Sequence, residues 1–161
     1  FPYATIAHTD ITAGQFILID GKFKLNDFNR CRFIRWNEKL DIPCTYGVGN
    51  NPGKYRSPEE YAYAPQTEKI DVYSMGNIFY EFLVRQWPFE NLKEEEAQAK
   101  IMSGERPAFG ANILGLVDKD PAVAAIVYAT KWCWEQKLKD RPTSKQIYEF
   151  LNTEYNKIAQ S

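Results

Sequence analysis

Asp10 and Asp27 lie seventeen residues apart, with the carboxamide of Gln15 five residues after the first. A carboxylate within reach of a hydroxyl can orient it and take its proton. A second carboxylate and an amide oxygen are hard ligands that suit Mg²⁺. Together these are the parts that phosphoryl transfer to a hydroxyl asks of a protein. Each is weak alone, since a lone His8-Thr9-Asp10 or Asp27-Phe28 is as easily a solvated turn.

The stretch between them gives the pattern its weight. Residues 16–25 hold two short apolar runs around Asp20-Gly21. That dipeptide predicts a type I′ β-hairpin, because both turn positions need positive φ. Lys22, Phe23, Lys24 and Leu25 alternate as a half-buried strand should. A hairpin here brings Asp10 and Asp27 to one end of the same element.

The remaining elements read as helices. Residues 29–57 lack periodicity and predict a long irregular loop, the kind of segment that is seldom idle. Pro58 opens a short helix over 58–64. Residues 69–84 carry apolar side chains on nearly every side, from Ile70 to Leu83, and predict a buried central helix. Residues 93–103 predict a surface helix with a solvated acidic run, Glu94-Glu95-Glu96, and Gly104 at its stop. Residues 108–120 read as loop. Pro121 to about Glu135 is a helix, and Thr143-Ser144 caps a last one carrying Ile147, Phe150, Leu151 and Tyr155. The expected fold class is mainly α, one helical domain with a small β-hairpin near its start.

The 161 residues suffice for a single core, and 44% apolar content excludes a disordered chain. A net charge of −1 gives no field of one sign towards nucleic acid or an anionic membrane. Cys31, Cys44 and Cys133 are widely spaced, so neither a zinc site nor a disulfide framework is expected. A reducing, intracellular compartment, the cytoplasm, is the simpler reading. No apolar run is long enough to span a bilayer and no signal peptide is visible. The start at Phe1, with chemistry already at residue 8, leads to the expectation of a fragment whose upstream part is missing.

Three further motifs complete the set: Ser57-Pro58-Glu59, Asp71-Val72-Tyr73-Ser74-Met75-Gly76 and Asp140-Arg141-Pro142. In this order, from Ala7 to about Tyr155, the chain resembles the C-terminal lobe of a eukaryotic-type protein kinase. The resemblance implies that residues 1–161 are that lobe, with the N-terminal lobe absent. It implies Asp10 as the carboxylate that orients a protein hydroxyl, and Gln15 and Asp27 as Mg²⁺ ligands beside ATP. It places Ile17 beneath adenine and packs His8 against Phe28. It pairs Glu59 with Arg141, and it has Asp71 receive backbone N–H groups of the catalytic loop. Pro52-Gly53-Lys54-Tyr55-Arg56-Ser57-Pro58-Glu59 and Cys133-Trp134 are similar to the tyrosine-kinase-like pattern.

The loop departs from the family at five positions. Thr12 and Gly14 stand where family members carry a Lys or an Arg, Thr9 replaces an Arg, Gln15 an Asn and Asn29 a Gly. Two readings follow. The parent is a protein kinase acting on protein Ser, Thr or Tyr hydroxyls, with this fragment alone inactive. The alternative is a pseudokinase, a binding or scaffolding module with little or no transfer. Thr45, Tyr46 and Tyr55 are candidate phosphorylation sites on the loop.

Overall fold

The structure, a computed structural model, describes residues 6–160. Its framework is α2 (Lys69–Val84), which packs along α5 (Pro121–Cys133), which in turn packs on α6 (Ser144–Gln160). The core lies at this junction. Tyr61, Tyr73, Tyr80, Ile101, Phe109, Ile113, Val127 and Trp134 form its main cluster, and Val72, Cys133 and Ile147 a second one.

Gly76 lets α2 approach the end of α5. A Cβ there would lie 2.8 Å from the Cys133 Cβ and 2.8 Å from the Trp134 Cδ1. The all-round apolar pattern of α2 follows from this placement, although Phe82 stays 60% exposed. α3 (Glu94–Ser103) buries Ala97 and Ile101, turns its acidic first turn outward and stops at Gly104 with φ 95°. Asp120 caps α5 by accepting the Ala122 and Val123 N–H groups. Thr143 and Gln146 exchange the bonds of a capping box at the start of α6.

The strands are short antiparallel pairs. β2 (Phe16–Ile19) and β3 (Lys22–Leu25) form the hairpin in the register Phe16↔Leu25 to Ile19↔Lys22. Asp20 and Gly21 take φ 51° and 72°, as a type I′ turn requires. The half-buried expectation for β3 is not met, because Phe23 is 67% exposed. Alternation fixes which face a side chain takes; on that face Leu25 is half-buried, while Phe23 lines an open cavity with Phe79 and Phe82 of α2.

Residues 29–57 hold more structure than their composition suggests. β4 (Arg32–Phe33) pairs with β1 (Ile6–Ala7), and β5 (Trp36–Asn37) with β6 (Ile42–Pro43). Tyr46 makes a bridge to Gln66. The predicted helix 58–64 is α1 (Pro58–Tyr61), closed by turns through Tyr63. The stretch 108–120, expected as loop, contains the short helix α4 (Ala111–Leu114), whose Ile113 joins the core. Among the described residues no helix is long and apolar enough to cross a membrane.

Candidate active site

His8 ties the two carboxylate-bearing loops together. Its backbone N–H donates to Asp71 Oδ2 at 2.5 Å, and its ring Nε2 lies 2.9 Å from the Asn26 carbonyl oxygen, next to Asp27. The ring also meets Phe28 edge-on, with centroids 5.0 Å apart. The expected pairing of His8 with Phe28 is therefore present, as is the expected reception of loop N–H groups by Asp71.

Thr9 carries the strain of this arrangement. It is a β-branched residue at φ 65°, a conformation that persists only where the surroundings fix it. Three bonds do so. Its N–H donates to Asp71 Oδ1 at 2.8 Å, and its hydroxyl donates to the Arg30 carbonyl at 2.8 Å. Its own carbonyl accepts from Arg56 Nη1 at 2.9 Å. The Asp71 carboxyl is enclosed beneath the loop. Burial pushes its pKa up to about 6, against the opposing pull of the His8 and Thr9 N–H groups.

Asp10 projects from this fixed turn and keeps part of its surface. Gln15, at the end of the 3₁₀ turn Ala13–Gln15, donates from Nε2 to Asp10 Oδ2 at 3.4 Å. The Gln15 carbonyl accepts the Asn26 N–H at 2.8 Å, which joins the start of the hairpin to its end. Asp27 takes a left-handed conformation, φ 60° and ψ 69°, and its Oδ1 accepts only a long bond, 3.4 Å, from the Asn29 N–H. Asn29 itself lies in the 3₁₀ turn Phe28–Arg30 and is not among the positive-φ residues. The positive φ falls on Asp27, so Asn29 needs no glycine-like freedom.

The Asp27 carboxylate and the Gln15 amide oxygen are hard oxygen donors, chemically of the kind that Mg²⁺ takes. Ile17 lies on β2 opposite Lys24 and is 45% exposed, so its side chain is open to a ligand.

Glu59 and Arg141 form the expected pair. Nη1 reaches Oε1 at 2.6 Å and Nη2 reaches Oε2 at 3.0 Å, with both side chains buried. Arg141 also donates to the Glu135 and Lys69 carbonyls and lies over the Tyr73 ring.

Arg56 was not singled out by its place in the sequence, yet it occupies the centre of the site. Its Nη2 lies 2.9 Å from Asp10 Oδ1, its Nε donates to the Pro52 carbonyl at 3.1 Å, and Glu60 lies 3.5 Å from Nη1. Glu60 is buried and accepts the Ser57 N–H and hydroxyl, each at 2.8 Å. Burial outweighs these bonds and pushes its pKa up to about 7. Only the i,i+4 spacing of Arg56 and Glu60 hinted at this cluster, and nothing local pointed to Asp10, 46 residues away.

Lys54 is equally committed: its ammonium donates to the Phe89, Glu90 and Leu92 carbonyls. Thr12, Gly14, Gly53, Lys54 and Tyr55 line a groove of about 660 Å³ that continues to Trp87 and Glu90. Of the candidate phosphorylation sites, Thr45 is exposed. The Tyr46 hydroxyl donates to the Thr67 carbonyl and that of Tyr55 to the Glu81 carboxylate.

Comparison with known proteins agrees with the geometry. The family model described as protein kinase domain matches residues 3–155. The chain is 35% identical, over 91% of its length, to a probable serine/threonine-protein kinase of Dictyostelium discoideum, of which it covers 15%. It is 36% identical over 88% of its length to the mitogen-activated protein kinase kinase kinase dlk-1 of Caenorhabditis elegans, covering 14% of it. It is 26% identical over 91% of its length to the serine/threonine-protein kinase VIK of Arabidopsis thaliana, covering 32%. The chain thus spans about a third or less of the length of these curated relatives. With the family matched over nearly its whole length and its homologues named as serine/threonine kinases, this chain belongs to the protein kinase domain family.

Proposed function

We propose that residues 1–161 form the C-terminal lobe of a protein kinase domain whose parent protein transfers the γ-phosphate of ATP to a protein hydroxyl. The observation that carries this reading is the double anchorage of His8. One residue fixes the Asp10 loop to Asp71 and the Asp27 turn through Asn26 and Phe28. A helical domain has no packing need for two carboxylate loops held to one frame; a transfer site does.

In this reading Asp10 accepts a hydrogen bond from the acceptor hydroxyl and holds the proton that leaves it. Asp27 and Gln15 would hold Mg²⁺, whose charge, when bound, offsets that of the nucleotide phosphates. Ile17 offers its exposed side chain to adenine. The groove between Thr12 and Tyr55 receives the substrate chain. The protein acts in the cytoplasm, in keeping with the three unpaired cysteines. A second reading, the pseudokinase, draws on the engagement of both Asp10 oxygens, one by Arg56 and one by Gln15.

The test uses the full-length protein with radiolabelled ATP, Mg²⁺ and dephosphorylated casein. Transfer by the unaltered protein, lost in Asp10→Asn, supports the kinase reading. ATP binding without transfer supports the scaffold.

A further inference from the structure

We propose that Arg56 is the positioning cation of the Asp10 loop, supplied from the 29–57 segment to a loop that has no basic side chain of its own. This rests on the kinase reading above. From His8 to Gly21 the sequence contains no Lys or Arg. A carboxylate that must stand beside an arriving phosphoryl group is repelled by it, and the repulsion is strong where water is excluded. Arg56 answers that charge from across the fold.

Its guanidinium is nearly buried, 8% exposed for the residue, and each of its three nitrogens is directed. Nη2 holds Asp10 Oδ1 at 2.9 Å, Nη1 holds the Thr9 carbonyl at 2.9 Å, and Nε holds the Pro52 carbonyl at 3.1 Å. Glu60, fixed by Ser57, steadies Nη1 from behind. The planar fork therefore sets the Asp10 rotamer and the strained Thr9 peptide at once, and clamps both to the end of the loop segment. Lysine at position 56 could supply charge but not the three-way fork.

Two measurements test this. In the full-length protein, kcat and KM are measured for the unaltered form, Arg56→Met, Arg56→Lys, Thr12→Lys, and Thr12→Lys with Arg56→Met. Position 12 lies two residues after Asp10 and lines the groove, so a lysine there is supplied from the loop itself. Arg56→Met is expected to lower kcat about a hundredfold while KM for ATP stays within about twofold. Arg56→Lys should keep part of the rate. Thr12→Lys should recover about tenfold in the Arg56→Met background, more than it changes the rate of the protein that keeps Arg56.

A purely structural Arg56 predicts no such rescue, and its absence overturns the proposal. Separately, urea unfolding of Asp10→Asn, Arg56→Met and the double variant should be non-additive. Additive losses overturn the pairing even where transfer is robust, leaving the kinase reading intact. No transfer by the unaltered protein while Mg²⁺-ATP binds overturns the kinase reading and the positioning role of Arg56 with it.

Discussion

The Arg141 guanidinium and the Glu59 carboxylate meet as parallel forks across 82 residues of sequence, with contacts of 2.6 and 3.0 Å. The pair joins α1 to the segment between α5 and α6, and neither residue has water to fall back on. Geometry of this kind makes each partner dependent on the other. Removing one leaves an uncompensated buried charge, which typically costs about 3–5 kcal/mol. Arg141→Ala also strips donors from the Glu135 and Lys69 carbonyls. Its urea midpoint should therefore fall steeply. An unfolding curve matching that of the unaltered chain would show that the pair contributes nothing.

Gly76 makes a second stability prediction. A methyl group there would press on Cys133 and on Trp134, whose Nε1 donates to Asn77 Oδ1 at 2.8 Å. Asn77 in turn donates to the Tyr55 carbonyl at 2.8 Å. Overpacking a close helix contact costs about 1–3 kcal/mol. Gly76→Ala should lose that much stability and also loosen the Tyr55 end of the groove. Hydrogen exchange at residues 53–57 is the readout: faster exchange is expected, and unchanged protection would separate the helix contact from the groove.

These positions show what was legible in the sequence. Asp20-Gly21 announced its turn because only a few residue pairs accept two positive φ values. The longer helices were legible from caps and apolar period, the four-residue α4 was not, and the Glu59–Arg141, Asp71 and His8–Phe28 contacts came from the family resemblance. The role of Arg56 was hidden, since its bond to Asp10 exists only once the segment 29–57 has folded back over the loop. β4, β5 and β6 were hidden for a related reason: strands of two residues carry no period. Phe23 looked half-buried because alternation reports the face, not what covers it.

The buried carboxyls give the chain an unusual response to pH. Glu60 has its pKa raised from 4.5 to about 7 and Asp71 from 3.8 to about 6, in both cases chiefly by burial. Raised values mean that the folded state binds these protons more tightly than the unfolded chain does. Their contribution to stability is thus fully present below about pH 4 and is lost as pH rises through 6 and 7. Unfolding free energy should increase when pH is lowered from 7.5 to 5.5. Glu60→Gln, which keeps a hydrogen-bonding side chain without the titration, should flatten that rise. Urea titrations at the two pH values check both claims, and a fall in stability towards pH 5.5 would contradict them.

In the proposed reading Asp27 is the carboxylate that would hold the metal. Its only described bond is the 3.4 Å contact from the Asn29 N–H, so most of its lone pairs are free for a cation. Without a divalent ion, the carboxylate and the nucleotide phosphates repel each other; with one, the ion bridges them. Asp27→Ala in the full-length protein should therefore have opposite effects in the two conditions. With Mg²⁺, ATP affinity should fall at least about tenfold, a loss of about 1.4 kcal/mol. In EDTA, affinity should be equal to or slightly above that of the unaltered protein, because a repelling charge is gone. Calorimetry under both conditions separates a metal ligand from a residue that merely shapes the turn: a turn-shaping Asp27 would weaken binding equally with and without the ion.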